Sequence, residues 1–189
     1  MIEKIHIFDD IIDKKEQNKI EEELLGRHFS WFFLDDVSKI KNDKQQRHAF
    51  SHYFIENGKI NSDKLDIIKN IPINACSKIK FQIKGISMVR SFLQLPLSNN
   101  LLTKELDTPH VDSYEEHLVV LYYVSDSDGD TVIFKNEFKK NSQIEEQKFI
   151  ELKRISPKKG RVVLFNGKLY HTANQPQKKV RTIVNFNLL

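Results

Sequence analysis

The chain has 189 residues, 39% of them hydrophobic, which is the size and apolar content of one domain around a single core. Thirty Lys and Arg against 26 Asp and Glu leave a formal charge of +4, and 24 of those cations are lysines scattered singly or in pairs, so no clustered basic face signals nucleic-acid binding. No window approaches the roughly 18 consecutive apolar residues of a membrane span, the N-terminus lacks the apolar stretch of a signal peptide, and the lone Cys76 excludes an internal disulfide framework or an all-thiolate metal site. The expectation is a soluble, cytoplasmic protein, of undetermined oligomeric state, whose metal chemistry would use His and carboxylates.

In chain order, residues 2–8 read as a short strand. Asp13 is an N-cap candidate followed by straight-chain helix formers, and Gly26 is a stop, which predicts a helix between them. Trp31-Phe-Phe-Leu reads as extended and mostly buried between helix and barrel. The polar stretch 36–48 suggests a surface loop. Residues 65–71 and 73–81 carry apolar positions at helical spacing and predict a second helical portion, with Cys76 as a small buried side chain. From about residue 85 the period changes. Short apolar runs alternate with Gly, Asn, Asp, Ser and Pro clusters, giving strands at 86–95, around 108–112, at 118–124, 131–134, 149–155 and 161–165, near His171, and at 180–188. The expected fold is α+β and mainly β: one domain, with 1–85 as helical support and 86–189 as a closed or nearly closed antiparallel barrel.

The first chemical candidate is His110-Val-Asp112. In an extended segment residues two apart project to one side, so imidazole and carboxylate could share a metal ion. The pair alone carries little weight, because seven His and 13 Asp in this length give about half an HxD by chance. His171, in the same barrel-forming half, offers a third ligand. Two His and one Asp leave coordination positions open, which suits non-heme Fe(II); zinc would accept the same set, but no HExxH helix occurs. Ten residues on, Val180-Arg-Thr-Ile-Val-Asn-Phe-Asn-Leu alternates so that Arg181, Ile183 and Asn185 share one face and Thr182, Val184, Phe186 and Leu188 the other. The apolar face packs against the helices, which turns Arg181 and Asn185 into the barrel. A buried guanidinium calls for an anion, and a ligand carboxylate fits its planar fork. A second donor to that carboxylate is expected from Tyr122, in Leu118-Val-Val-Leu-Tyr-Tyr-Val.

His110-x-Asp112, Leu121-Tyr-Tyr-Val, Gly129-Asp-Thr-Val-Ile-Phe, Gly160-Arg-Val-Val-Leu-Phe, His171 and Arg181, in this order over residues 86–189, resemble the Fe(II)- and 2-oxoglutarate-dependent oxygenases, in particular the prolyl-4-hydroxylase-like branch. The resemblance implies a double-stranded β-helix (jelly-roll, cupin-like) barrel, with iron on His110, Asp112 and His171, 2-oxoglutarate as co-substrate and O2 as oxidant. It implies that the far carboxylate of 2-oxoglutarate meets Arg181 and Tyr122. Where that branch has a tyrosine before a proline to hold the metal-proximal end of 2-oxoglutarate, this chain has Leu95, and Gln94 or Asn185 is the expected substitute. Asp112 argues against the related halogenases, which lack the carboxylate ligand. Asn187 stands where base-repair dioxygenases carry a second arginine.

The implied activity is hydroxylation of a peptidyl proline or a small molecule, coupled to conversion of 2-oxoglutarate to succinate and CO2. The alternative is a non-catalytic barrel that binds a metal or a partner. His117 and the four N-terminal histidines are read as non-ligands, and residues 97–109 and 36–48 as the rim or lid of the site.

Overall fold

The computed structural model describes residues 2–37, 47–98, 105–140 and 148–189. Strand β1 (His6–Asp9) leads into helix α1 (Lys14–Leu24). The Asp13 carboxylate accepts from the Glu16 amide at 2.8 Å and so satisfies one orphan N–H of the first turn. Ile20 and Leu24, on one stripe of α1, are fully buried. Strands β2 (Phe32–Leu34), β3 (Ala49–Glu56) and β4 (Lys59–Ile60) follow, then a 3-10 turn (Asp63–Ile67) and helix α2 (Asn70–Lys78), which buries Ile71, Pro72, Ala75 and Cys76. Seven strands complete the chain: β5 (Ile86–Gln94), β6 (Leu118–Tyr123), β7 (Thr131–Glu137), β8 (Glu151–Ile155), β9 (Arg161–Asn166), β10 (Leu169–Ala173) and β11 (Arg181–Leu188).

All pairings are antiparallel. The larger sheet runs β1-β9-β6-β11-β5-β3-β2, with β4 also on β3, and the smaller runs β10-β7-β8. The period-two geometry of the strands divides the interior into separate cores. One face of the larger sheet (Val89, Leu118, Val120, Tyr122, Val162, Leu164, Val184, Phe186) packs with Ile20, Leu24, Ile68 and Ile71 of the helical layer. The other face (Val119, Leu121, Tyr123, Val163, Phe165, Ile183) turns inward and meets Ile133 and Ile155 of the smaller sheet. A third cluster, Val132, Phe134 and Tyr170, covers the outer side of the smaller sheet. The chain is mainly β with few helices, and among the described residues no helix is long and apolar enough to cross a membrane.

Several sequence expectations need correction. Residues 31–34 are extended, but Phe32 and Phe33 are 62% and 58% exposed, so of the three aromatic residues only Trp31 packs inward; its indole donates to the Leu24 carbonyl at 3.0 Å. The segment around 108–112 forms no strand. It touches β10 through one isolated bridge, His110 to His171, with a second from Leu106 to Asn174 just beyond that strand, because Pro109 has no amide to continue a ladder. Strand β3 had no counterpart in the sequence reading. Most of 36–48 and part of 97–109 lie outside the described residues.

Candidate metal centre and adjoining pocket

The two sheets enclose a cavity of about 590 Å³, counting its mouth, lined by residues of β5, β6, β7, β9, β10, β11 and the segment before β6. His110 and His171 face each other through a reciprocal backbone pair, His110 N to His171 O at 3.0 Å and His171 N to His110 O at 2.9 Å, with their rings 4.8 Å apart. Asp112 completes the group. Its carboxylate lies 3.6 Å from His171 Nε2 and 3.9 Å from His110 Nε2, and one ligand atom from each residue falls within 4.8 Å of the others.

The donor set fits a divalent transition metal. His110 Nδ1 lies 3.3 Å from the Thr108 carbonyl and His171 Nδ1 3.1 Å from the Leu169 carbonyl. A carbonyl only accepts, so each Nδ1 carries the proton and each Nε2 keeps its lone pair for the metal. The Asp112 side chain is 3% exposed. Burial alone would raise its pKa, but the two histidines, Arg90 and the hydrogen bond from Asn185 outweigh it and hold the carboxyl at about 2. Desolvation, then His171, brings His110 down to about 4, although nearly half of that side chain is accessible at the cavity mouth. Asp112 is thus preset as a carboxylate and His110 as a neutral imidazole, the protonation states in which they can bind a metal.

At the inner end of the same cavity Arg181 is 3% exposed, and each of its three nitrogens donates to a protein acceptor, which uses three of its five N–H groups. Its Nε donates to the Gly129 carbonyl at 2.8 Å, Nη1 to Gln94 Oε1 at 3.1 Å and Nη2 to Thr131 Oγ1 at 2.7 Å. Gly129 is needed there, since a Cβ would come within 2.9 Å of the Arg181 stem and 2.8 Å of a backbone carbonyl. Thr131 Oγ1 also accepts from the Tyr123 hydroxyl at 2.7 Å. With both lone pairs taken, its own proton is free to point at a ligand. Gln94 links onward, its amide donating to Asp107 Oδ2 at 3.0 Å, and Arg47 Nη1 lies 2.6 Å from Asp107 Oδ1. Burial raises the Asp107 pKa against the opposing pull of Arg47 and Gln94.

The structure therefore brings His110, Asp112, His171, Arg181 and Asn185 to one cavity. Asn185 sits against the carboxylate ligand, its amide donating to Asp112 Oδ2 at 2.7 Å. Tyr122 is not among them. It is paired with Val184 across β6 and β11, points into the helix-backed core, and its buried hydroxyl has no hydrogen-bond partner among the described residues. The tyrosine on the Arg181 side is Tyr123, whose ring lies 6.0 Å from the guanidinium. Leu95 is 42% exposed and does not line the cavity, whereas Gln94 does. His117 is buried away from the site, with Nδ1 2.8 Å from the Glu115 carbonyl. Sequence reasoning missed Arg47, Asp107 and Thr131; only Thr131, beside Gly129 in a recognised motif, carried a usable signal. Val37 and Asp107, described parts of the expected rim segments, line the cavity.

No family model matches the sequence, and no curated protein matches it. Solved structures do match in fold. A 2OG-Fe(II) oxygenase family oxidoreductase from Burkholderia pseudomallei is 10% identical with a TM-score of 0.69, over 97% of this chain and 84% of that one. A prolyl hydroxylase from Trichoplax adhaerens, in complex with a hypoxia inducible factor peptide fragment, is 14% identical with a TM-score of 0.62, over 98% and 83%. The epimerase SnoN, in complex with Fe3+, alpha ketoglutarate and nogalamycin RO, is 9% identical with a TM-score of 0.66, over 98% and 78%. The fold of this chain is accordingly the double-stranded β-helix of the 2-oxoglutarate- and iron-dependent oxygenases, the prolyl hydroxylases among them.

Proposed function

We propose that the protein is an Fe(II)- and 2-oxoglutarate-dependent dioxygenase that hydroxylates a small-molecule or peptidyl substrate, peptidyl proline included. One observation carries the reading. A nearly inaccessible arginine with every nitrogen engaged opens into the same cavity as a two-His, one-carboxylate group. His110, Asp112 and His171 would hold the iron. The metal, when bound, supplies the activation of O2 that couples oxidative decarboxylation of 2-oxoglutarate to substrate hydroxylation.

The chain's own part is positional. Arg181 and the Thr131 hydroxyl receive the far carboxylate of 2-oxoglutarate, with Gln94 and Tyr123 fixing their geometry. Val119, Leu121, Phe165 and Ile183 form an apolar wall that limits water and strengthens those polar contacts. Asn185 holds the Asp112 carboxylate at an angle that leaves its second oxygen for the metal. Among the neighbours in fold, the prolyl hydroxylase is in complex with a peptide fragment and the epimerase SnoN with nogalamycin RO, which supports keeping both substrate types.

Anaerobic titration with Fe(II) and then 2-oxoglutarate tests the reading. A visible charge-transfer band should appear only when both are present. Asp112→Ala should abolish it, and Arg181→Ala should shift its half-saturation to higher 2-oxoglutarate by about 100-fold, the loss of a charge-assisted contact. Iron binding without the band would leave a metal-binding barrel with no oxygenase chemistry.

A further inference from the structure

We infer that Arg90 is the anchor for a carboxylate group of the primary substrate; this rests on the oxygenase reading above and specifies the class of substrate. Arg90 stands on the cavity face of β5, opposite Asn185 of β11. Gln94, which contacts Arg181, lies four residues further along the same strand, or about 13 Å. The metal group lies beside Arg90, since Asp112 is bonded to Asn185, the residue opposite Arg90, and its carboxylate is 3.7 Å from Arg90 Nη2. A five-carbon diacid held at Arg181 and at the metal has used both carboxylates before it reaches Arg90.

The Arg90 guanidinium is positioned but under-used. Its carbon lies 5.7 Å from the centre of the Tyr53 ring and 5.4 Å from that of Phe92, so two aromatic neighbours fix it. Of its five N–H donors, Nη1 reaches the Tyr53 hydroxyl at 3.3 Å. Among the described residues Nε is buried without a hydrogen-bond partner, and Nη2 is 3.7 Å from Asp112, beyond hydrogen-bond reach. Arg181 has an acceptor at each of its three nitrogens, and Arg47 is held in a 2.6 Å ion pair with Asp107.

Charge completes the argument. Once Asp112 serves a cation, its charge no longer balances Arg90. Iron, Asp112, Arg181, the Arg47–Asp107 pair and dianionic 2-oxoglutarate leave Arg90 as one surplus positive charge in a poorly hydrated site. A single carboxylate matches that surplus and the planar edge of a guanidinium; a phosphate dianion would over-compensate it, and the site offers phosphate only one arginine and one phenol.

The test compares acids with their amides. The Zn(II)- and 2-oxoglutarate-loaded protein is titrated by saturation-transfer NMR with N-acetylproline, phenylacetate, their primary amides and inorganic phosphate. In the wild type each acid should bind about tenfold more tightly than its amide. Arg90→Gln should cut that preference below about threefold, and Arg90→Lys should keep part of it. The anaerobic Fe(II)–2-oxoglutarate band, recorded on the same preparations, separates the two ideas. Its absence from the wild type defeats the oxygenase reading. If the band forms, the anchor is overturned by acids and amides that bind alike, by no binding of either acid, by a preference that survives Arg90→Gln, or by phosphate binding more tightly than both acids.

Discussion

Thr131 and the two adjacent tyrosines give the sharpest tests at the scale of single residues. The Thr131 oxygen accepts from Arg181 and from Tyr123, so its proton is the one left to meet a co-substrate carboxylate. Thr131→Val should raise the 2-oxoglutarate concentration for half-formation of the iron band by about 10- to 100-fold, the range for a hydrogen bond to a charged group. Tyr123→Phe should weaken it in the same direction. Tyr122→Phe should leave the band unchanged and hold or raise the unfolding temperature, because it deletes a buried hydroxyl that has no hydrogen-bond partner among the described residues.

Acid behaviour belongs to the same scale. His110 is held at about 4 in the folded protein against a usual 6.5, so the unfolded chain binds the extra proton first. Its contribution to stability is complete above 6.5 and lost as the pH falls towards 4; that of Asp112, held at about 2 against 3.8, is lost below 3.8. Urea unfolding of the metal-free protein should therefore show falling stability from pH 6.5 to 4, and His110→Gln should flatten that limb.

Among the elements, the ion pair Arg47–Asp107 joins the approach to β3 with the segment that carries His110 and Asp112, and both side chains are buried. Arg47→Met leaves a carboxylate without its charge partner and should cost about 3–5 kcal/mol in chemical denaturation, while Arg47→Met with Asp107→Leu should recover most of it. The same elements explain what could be read from the sequence. In β11, polar and apolar residues alternate, so the inward face of Arg181 and Asn185 was legible. In β6 the run Leu-Val-Val-Leu-Tyr-Tyr is buried on both faces and contains no alternation, so nothing in it distinguishes Tyr122 from Tyr123. Only the register Val184 to Tyr122 decides. Strand β3 was hidden for a related reason, since Ser51 and His52 interrupt its apolar pattern yet are buried; the His52 ring reaches Ser62 Oγ at 2.8 Å. Arg47 and Asp107 are sixty positions apart and meet only through the fold.

At the scale of the whole molecule, the larger sheet separates two kinds of work. Its helix-side residues build the support core, and its inward residues line the cavity. The partition has a consequence for how the protein tolerates change. A saturation scan of every position, scored once for cellular abundance and once for activity per folded molecule, should give two combs of period two along the strands. The abundance comb would have teeth at Val120, Val162, Val184 and Phe186. The activity comb would be offset by one residue, with teeth at Arg181 and Asn185 on β11 and at Arg90 and Gln94 on β5. Because Arg181 pairs with Gln94, the phase flips from odd to even numbers between these strands. Teeth in phase on both scores would mean that the sheet does not divide its labour, whereas the offset would let stability and chemistry drift independently along a single strand.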